Sequence, residues 1–206
     1  MTRIEQSALN DRLSQHALWL SSAGKRGVQL SIEDADLSGM DLSELDLAEV
    51  ELPGAVLDRA KLTRTSLARA NLVGASLVGA DMRGALLLKA EMDRINAVGV
   101  RMDDANLTRC SLRMADLRQT SMDRATLTRT VLSRADLRGW ALRSARLRLI
   151  LLDDAILGSI DAAGATGSIV ARTATIETEG ERRVVDATGI VAWLRSAGAG
   201  DVSAVS

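Results

Sequence analysis

The chain holds one histidine, His16, and one cysteine, Cys110. Together they could form a thiolate–imidazole pair, in which the base activates the nucleophile across a hydrogen bond. That chemistry needs the two side chains adjacent, and the periodicity described below sets them about four coils apart. Cys110 reads instead as a small inward residue standing in for Ala. "AGKRG" (23–27) offers a Lys after a Gly, but the upstream Gly and the following Ser or Thr of a phosphate loop are missing. Asp or Asn precedes many leucines, and a ladder of such groups could hold metal ions. Pairs such as Asp103-Asp104 and Asp153-Asp154 are too sparse for that, and short polar side chains fit bonds to the backbone at turns better. No catalytic, metal or cofactor-binding residue is assigned, no cofactor is implied, and no enzyme activity is expected.

What must position these residues is a five-residue word, as in "ANLVG ASLVG ADMRG" (70–84). Its middle position recurs at every fifth residue from Ile32 to Ala162, giving 27 units over residues 30–164 without insertion. The middle residue is Leu in 20 units, and Ala stands two places earlier in 14. A period of five makes no stripe on a helix and swaps faces at each unit of a strand. The chain must therefore turn a corner once per unit. Four corners close a square coil of about twenty residues, and stacked coils form a solenoid. The middle residue and the one two before it point inward, and the other three face water.

Two units support the inward pairing. "INAVG" (95–99) and "IDAAG" (160–164) shrink the middle to Ala97 and Ala162 while enlarging the small site to Ile95 and Ile160. Close packing demands such an exchange. "WALRS" (140–144) breaks the rule, so Trp140 is expected to push outward or distort its corner.

Units such as "ADLSG" (35–39), "ANLTR" (105–109), "ADLRQ" (115–119) and "ADLRG" (135–139) resemble the signature of the pentapeptide-repeat family, A-[D/N]-L-x-x. The resemblance implies an all-β solenoid, a right-handed quadrilateral β-helix of about seven coils stacked at strand spacing. The best-known members of that family protect DNA gyrase or related topoisomerases from quinolones and other poisons and have been viewed as DNA mimics, which the resemblance makes an expectation here. The chain departs from the family's frequent use of Phe at the middle, having no Phe or Tyr.

Solenoid ends need caps. Residues 1–29 are read as a helical cap with Leu9, Leu13, Ala17 and Leu20 on one face, stopped at Gly24. The stretch "LSQHALWLSSAGKRG" also looks like N-terminal segments of the family, which gives His16 and Trp19 a packing role. Residues 165–206 form a third segment: a hairpin turning at Glu179-Gly180, then a short helix with Thr188 as N-cap. Ile190, Val191, Trp193 and Leu194 crowd that helix, and either fold onto the last coil or pair with a second copy. Some family members dimerise through their C-terminal ends, so the resemblance leans towards a homodimer. The tail "DVSAVS" is expected to be disordered. No apolar run reaches the roughly 18 residues of a membrane span. The start has no apolar core of a secretory signal, and a lone Cys excludes an internal disulfide framework. Cytoplasmic location is the default expectation.

Charge is distributed unevenly. Residues 30–54 hold eight acids and no Lys or Arg, whereas residues 55–149 hold 18 basic against 9 acidic residues. Counting twenty residues per coil puts Glu49, Arg69, Lys89, Arg109 and Arg129 on one edge. The four cations are either a solvated face or a docking edge for an anionic partner. A binding scaffold for a protein or anionic macromolecule is therefore the first expectation. Topoisomerase binding by DNA mimicry comes second, because it needs acidic faces along the rod. Direct nucleic-acid binding comes third, since the repeats carry no aromatic stacking platform apart from Trp140.

Overall fold

The computed structural model describes residues 2–179 and 181–205. Its elements are β1 (Thr2–Arg3), α1 (Gln6–Ser21), β2 (Ala35–Asp36), β3 (Thr126–Thr128), β4 (Asp136–Arg138) and β5 (Arg146–Leu151). They are followed by β6 (Ala155–Gly158), β7 (Thr166–Val170), β8 (Thr173–Thr178), β9 (Glu181–Asp186), α2 (Ala187–Ser196) and β10 (Val202–Ala204). Between α1 and β7 the chain is one right-handed, four-sided β-helix. Parallel bridges join residues twenty apart, from Ser31↔Glu51 to Ala141↔Asp161, so each coil closes after four units.

One unit shows why five residues suffice. In 70–74 the Ala70 N–H donates to the Leu67 carbonyl across the corner, at 3.1 Å. The Asn71 N–H reaches back one coil to Val50 O (2.9 Å), and those of Leu72 and Gly74 reach forward to Glu91 O (2.8 Å) and Asp93 O (2.9 Å). The remaining N–H, that of Val73, donates to the Asn71 side-chain oxygen at 3.1 Å. Every backbone donor is thus satisfied, and the Asp or Asn before the middle residue exists to close the fifth bond. In some units that lack it, an Asp one coil earlier substitutes: Asp58 takes the Val78 N–H at 3.0 Å and Asp103 takes that of Asp123 at 3.1 Å.

The corner itself is left-handed. In all 27 units the last residue has φ between about +40° and +80°. Glycine fills eight of these sites, and Arg, Lys or another side chain fills the rest. A non-glycine residue there costs something against right-handed backbone, which the four inter-coil and turn bonds of each unit offset.

Middle residues from Leu37 to Ala162 are all buried, with only Ile32 at the open first coil half-buried. Ile95 and Ala97 are both buried, as the exchange of large and small requires. Buried threonines at small sites also find partners: the hydroxyls of Thr65, Thr120 and Thr130 donate to Leu42 O, Ala97 O and Leu107 O at 2.8, 3.0 and 2.8 Å. Trp140 corrects the expectation made for it. It is 1% exposed and lies in the core, and its corner keeps the usual turn bond to Leu137 O. Its indole Nε1 is buried without a hydrogen-bond partner among the described residues.

α1 closes the first coil with the expected face, save for one exchange. Ala17 is exposed, and His16 is fully buried in its place beside Leu9, with Leu13 and Leu20 half-buried. The helix ends on the left-handed Ala23 and Gly24, whose Gly24 N–H returns to Trp19 O at 2.8 Å. Gly27 is required because a Cβ there would run into the Gln15 carbonyl oxygen.

At the other end β8 and β9 pair antiparallel as the expected hairpin; Gly180, named for its turn, lies outside the described residues. The N-cap of α2 is Asp186, whose carboxylate takes the Gly189 N–H at 2.8 Å, and not Thr188: the helix begins at the hairpin's last residue and leaves Thr188 inside its first turn. Ile190, Val191 and Leu194 are buried against the last coil, and Trp193 is half-buried. Of the two expected uses of this apolar face, one chain already fills it. The tail corrects the expectation of disorder: β10 pairs parallel with β7, and Val202 is fully buried. Ala162, Gly164 and Gly167 donate to Ala197 O, Gly198 O and Asp201 O, at 3.0, 3.0 and 2.8 Å. These bonds replace the coil that a longer solenoid would have supplied.

Candidate functional site

The coil wall places Arg69, Lys89, Arg109 and Arg129 on one edge in four consecutive coils. Their N–H groups donate in turn to Leu88, Thr108, Thr128 and Arg148 carbonyls at 2.9, 3.0, 2.8 and 2.7 Å. Each occupies the left-handed corner, with φ of 58°, 58°, 60° and 54°, so each side chain leaves the solenoid at the same point of its coil. Arg69 differs from the rest, because its guanidinium lies 3.0 Å from the Glu49 carboxylate one coil earlier. Among the described residues Lys89, Arg109 and Arg129 have no acidic partner.

The same face carries residues the sequence reading passed over. Arg146 and Arg148 project from β5, which pairs with β3 beside Arg129, and neither meets a carboxylate among the described residues. Leu86 and Leu88, on either side of buried Leu87, are 49% and 41% exposed. A shallow groove of about 460 Å³ runs between Leu88, Lys89, Arg109, Arg129 and Arg148. The twenty-residue count would have found all four additions, because they belong to units 85–89 and 145–149 of the same side.

The remaining sides pair most of their charge locally, with Arg59 and Arg94 the exceptions among the described residues. Arg83 and Arg101 meet Asp81 at 2.6 and 3.6 Å, Arg118 meets Asp116 at 2.7 Å, and Arg124 meets Asp104 at 2.8 Å. Arg138 meets Asp136 at 2.6 Å and Arg143 meets Asp161 at 2.7 Å. Hydrogen bonds from the Arg83 and Arg118 side chains hold the Asp81 and Asp116 carboxyls below the usual range. The acidic first coil is partly neutralised as well, since Asp41, Glu44 and Glu49 face Lys61, Arg64 and Arg69. The adjacent acids Asp103 and Asp104 divide between the Asp123 backbone and Arg124.

The groups considered for chemistry lie apart. Cys110 is fully buried in the middle of the solenoid, where desolvation raises its thiol pKa far above the ordinary value. His16 lies on the buried face of α1, where its Nδ1 accepts the Leu30 N–H at 3.0 Å, and its ring stacks on Trp19 at a centroid distance of 5.8 Å. Among the described residues no group of three or more His, Cys, Asp and Glu side chains could hold a metal ion. No helix among them is long and apolar enough to cross a membrane.

A four-sided coil with one unit per side and one left-handed corner per unit defines a pentapeptide solenoid. The pentapeptide-repeat family model matches in eight copies, over residues 31–67, 54–87, 65–104, 90–123, 101–139 and 110–148, and the chain belongs to that family. No curated protein sequence matches it. Among solved structures it is similar to trypsin-treated QnrB1, a plasmid-mediated fluoroquinolone resistance protein, with 18% identity and a TM-score of 0.49 over 66% of this chain and 76% of that one. Full-length QnrB1 is 19% identical with a TM-score of 0.43, over 85% and 84% of the two chains. HetL, a pentapeptide-repeat protein involved in heterocyst differentiation regulation in the cyanobacterium Nostoc sp. strain PCC 7120, is 23% identical with a TM-score of 0.35, over 75% and 84%.

Proposed function

We propose that this pentapeptide-repeat protein is a non-enzymatic scaffold that binds a protein or other anionic macromolecule through its basic face. The observation that carries this reading is the contrast between sides. Lys89, Arg109, Arg129, Arg146 and Arg148 stand without carboxylate partners, while the arginines of the other sides are largely paired. Like charges at coil spacing repel and do not help the fold, so a chain selected for stability alone would alternate signs here as it does elsewhere. Capture of partners on the purified protein, with mass spectrometry, is the direct experiment. The variant carrying Gln at 69, 89, 109 and 129 should lose the partner while keeping its fold. Arg59 is the control, since it leaves a different side, and Arg59→Gln should have little effect. Equal capture by the fourfold variant and the parent would sink the reading.

Binding to DNA gyrase or another topoisomerase by DNA mimicry is the weaker reading. Mimicry needs a continuous unpaired acidic face, and here Asp41, Glu44 and Glu49 of the first coil already meet Lys61, Arg64 and Arg69 of the second. A gyrase supercoiling assay with a quinolone tests it: unprotected enzyme at saturating protein counts against it, and protection counts for it.

A further inference from the structure

We infer that the occupant of the basic face is an acidic, amphipathic α-helix of a partner protein, laid along the solenoid axis. This rests on the reading of the face as an anion-binding surface and adds the shape of what binds. The first argument is spacing. Inter-coil hydrogen bonds set successive cations about 4.8 Å apart along the axis, and Arg69, Lys89, Arg109 and Arg129 span three such steps, about 14 Å. One face of a helix repeats every 5.4 Å or so, about 16 Å over three turns, a mismatch of about 2 Å that long flexible side chains absorb. An extended strand repeats its face about every 6.7 Å and drifts by about 6 Å over the same length.

The second argument is the apolar content of the face. Leu86 and Leu88 are the large exposed hydrophobics of the coil that carries Lys89, and Leu88 lines the groove together with Arg109, Arg129 and Arg148. Exposed ion pairs are individually weak, so a row of carboxylates alone would bind loosely. A helix with Leu beside its Glu row would cover Leu86 and Leu88 as well, the pattern by which amphipathic helices fill grooves. A nucleic acid would leave both leucines uncovered, and the face has no aromatic residue for its bases: Trp140 is buried in the core, and Trp19 and Trp193 belong to the caps. From Arg69 to Arg148 the face runs about 19 Å, the length of about 13 helical residues.

The test uses the full chain and synthetic peptides of about 16 residues. One carries Glu at positions 2, 6, 9 and 13, with Leu alongside, and is locked helical by a side-chain staple. Two isomers keep its composition, one with the Glu residues spread around the stapled helix and one unstapled with two D-residues in its centre. Fluorescence anisotropy should show the first binding at least tenfold more tightly than either isomer. The fourfold Gln variant should lose most of that affinity, and Leu86→Ser with Leu88→Ser should lower it for the first peptide only. Equal binding of the three peptides, or tighter binding of a 20-base-pair duplex DNA, would overturn the helix and leave an anion-binding face. No binding of any probe at low salt, or undiminished binding by the fourfold variant, would overturn both.

Discussion

The backbone N–H of Leu30 donates to Nδ1 of His16 at 3.0 Å, so the lone histidine of the chain joins the cap helix to the first residue of the solenoid. As an acceptor, His16 must be neutral. Burial lowers its pKa below the ordinary 6.5, opposed by the Ala48 backbone and the charges of Asp46 and Glu49.

The unfolded chain therefore takes up a proton at this site before the folded chain does. Stability should be complete above pH 6.5 and decline as pH falls from there through the folded pKa. A second decline should begin below about pH 3.8, as Asp81 and Asp116, held low by their arginines, become protonated. Urea unfolding across pH should resolve the two. In His16→Gln the first decline should vanish, with a loss of about 1–3 kcal/mol at neutral pH if the Leu30 N–H is left without an acceptor. A first decline that survives the substitution would assign it to other groups.

Core positions should tolerate exchange only in pairs. Leu107→Asp would bury a charge without a partner and should cost several kcal/mol; an unchanged melting temperature would contradict the inward assignment. Ala97→Leu should destabilise by about 1–3 kcal/mol through overpacking, and Ile95→Ala in the same chain should recover part of that. A double variant no better than the single would mean that the two sites do not share one space.

A second pair to test is Trp140 with Ala162 of the next coil. Ala162→Leu should be damaging while Trp140 is present and milder beside Trp140→Leu. Trp140→Ala alone should cost about 3–5 kcal/mol. Thermal unfolding of the four chains checks this, and strict additivity would show that the indole takes its room elsewhere.

Removing residues 187–206 should expose the last coil. It deprives the Ala162, Gly164 and Gly167 N–H groups of their acceptors and uncovers the apolar end against which Ile190, Val191 and Leu194 pack. Sedimentation velocity should show the truncated chain associating more than the intact one. A truncated chain that stays monomeric with the parent's melting temperature would mean that the module is no cap.

The coil was legible because its core writes one apolar residue per unit with no insertion, and nothing in the surroundings competes with that period. What stayed hidden depends on neighbours that a linear pattern does not show. The left-handed corners were masked by the Arg, Lys, Glu, Asp and other side chains that occupy most of them, since glycine marks only a minority. Trp140 looked oversized within its own unit, because room for an indole depends on the neighbouring coils and not on that unit alone. His16 was passed over for Ala17 on the cap face because a polar ring counts against burial until its acceptor atom meets the Leu30 N–H. The ladder was legible from the twenty-residue count. The pairing of Arg69 with Glu49, which separates it from the other three, depends on rotamers and was not.

The core and the surface of this molecule obey different arithmetic. Since the stacked units repeat one pattern of inter-coil bonds and every unit turns the same left-handed corner, the backbone is indifferent to a shift of five residues. The basic face exists only in the count of twenty. A single extra unit between Lys89 and Arg109 would leave the packing rule intact and yet carry Arg109 and Arg129 round to the adjoining side, a quarter turn from Arg69 and Lys89. Evolution by whole coils can therefore lengthen such a surface at will, whereas a gain or loss of one unit erases it without unfolding anything.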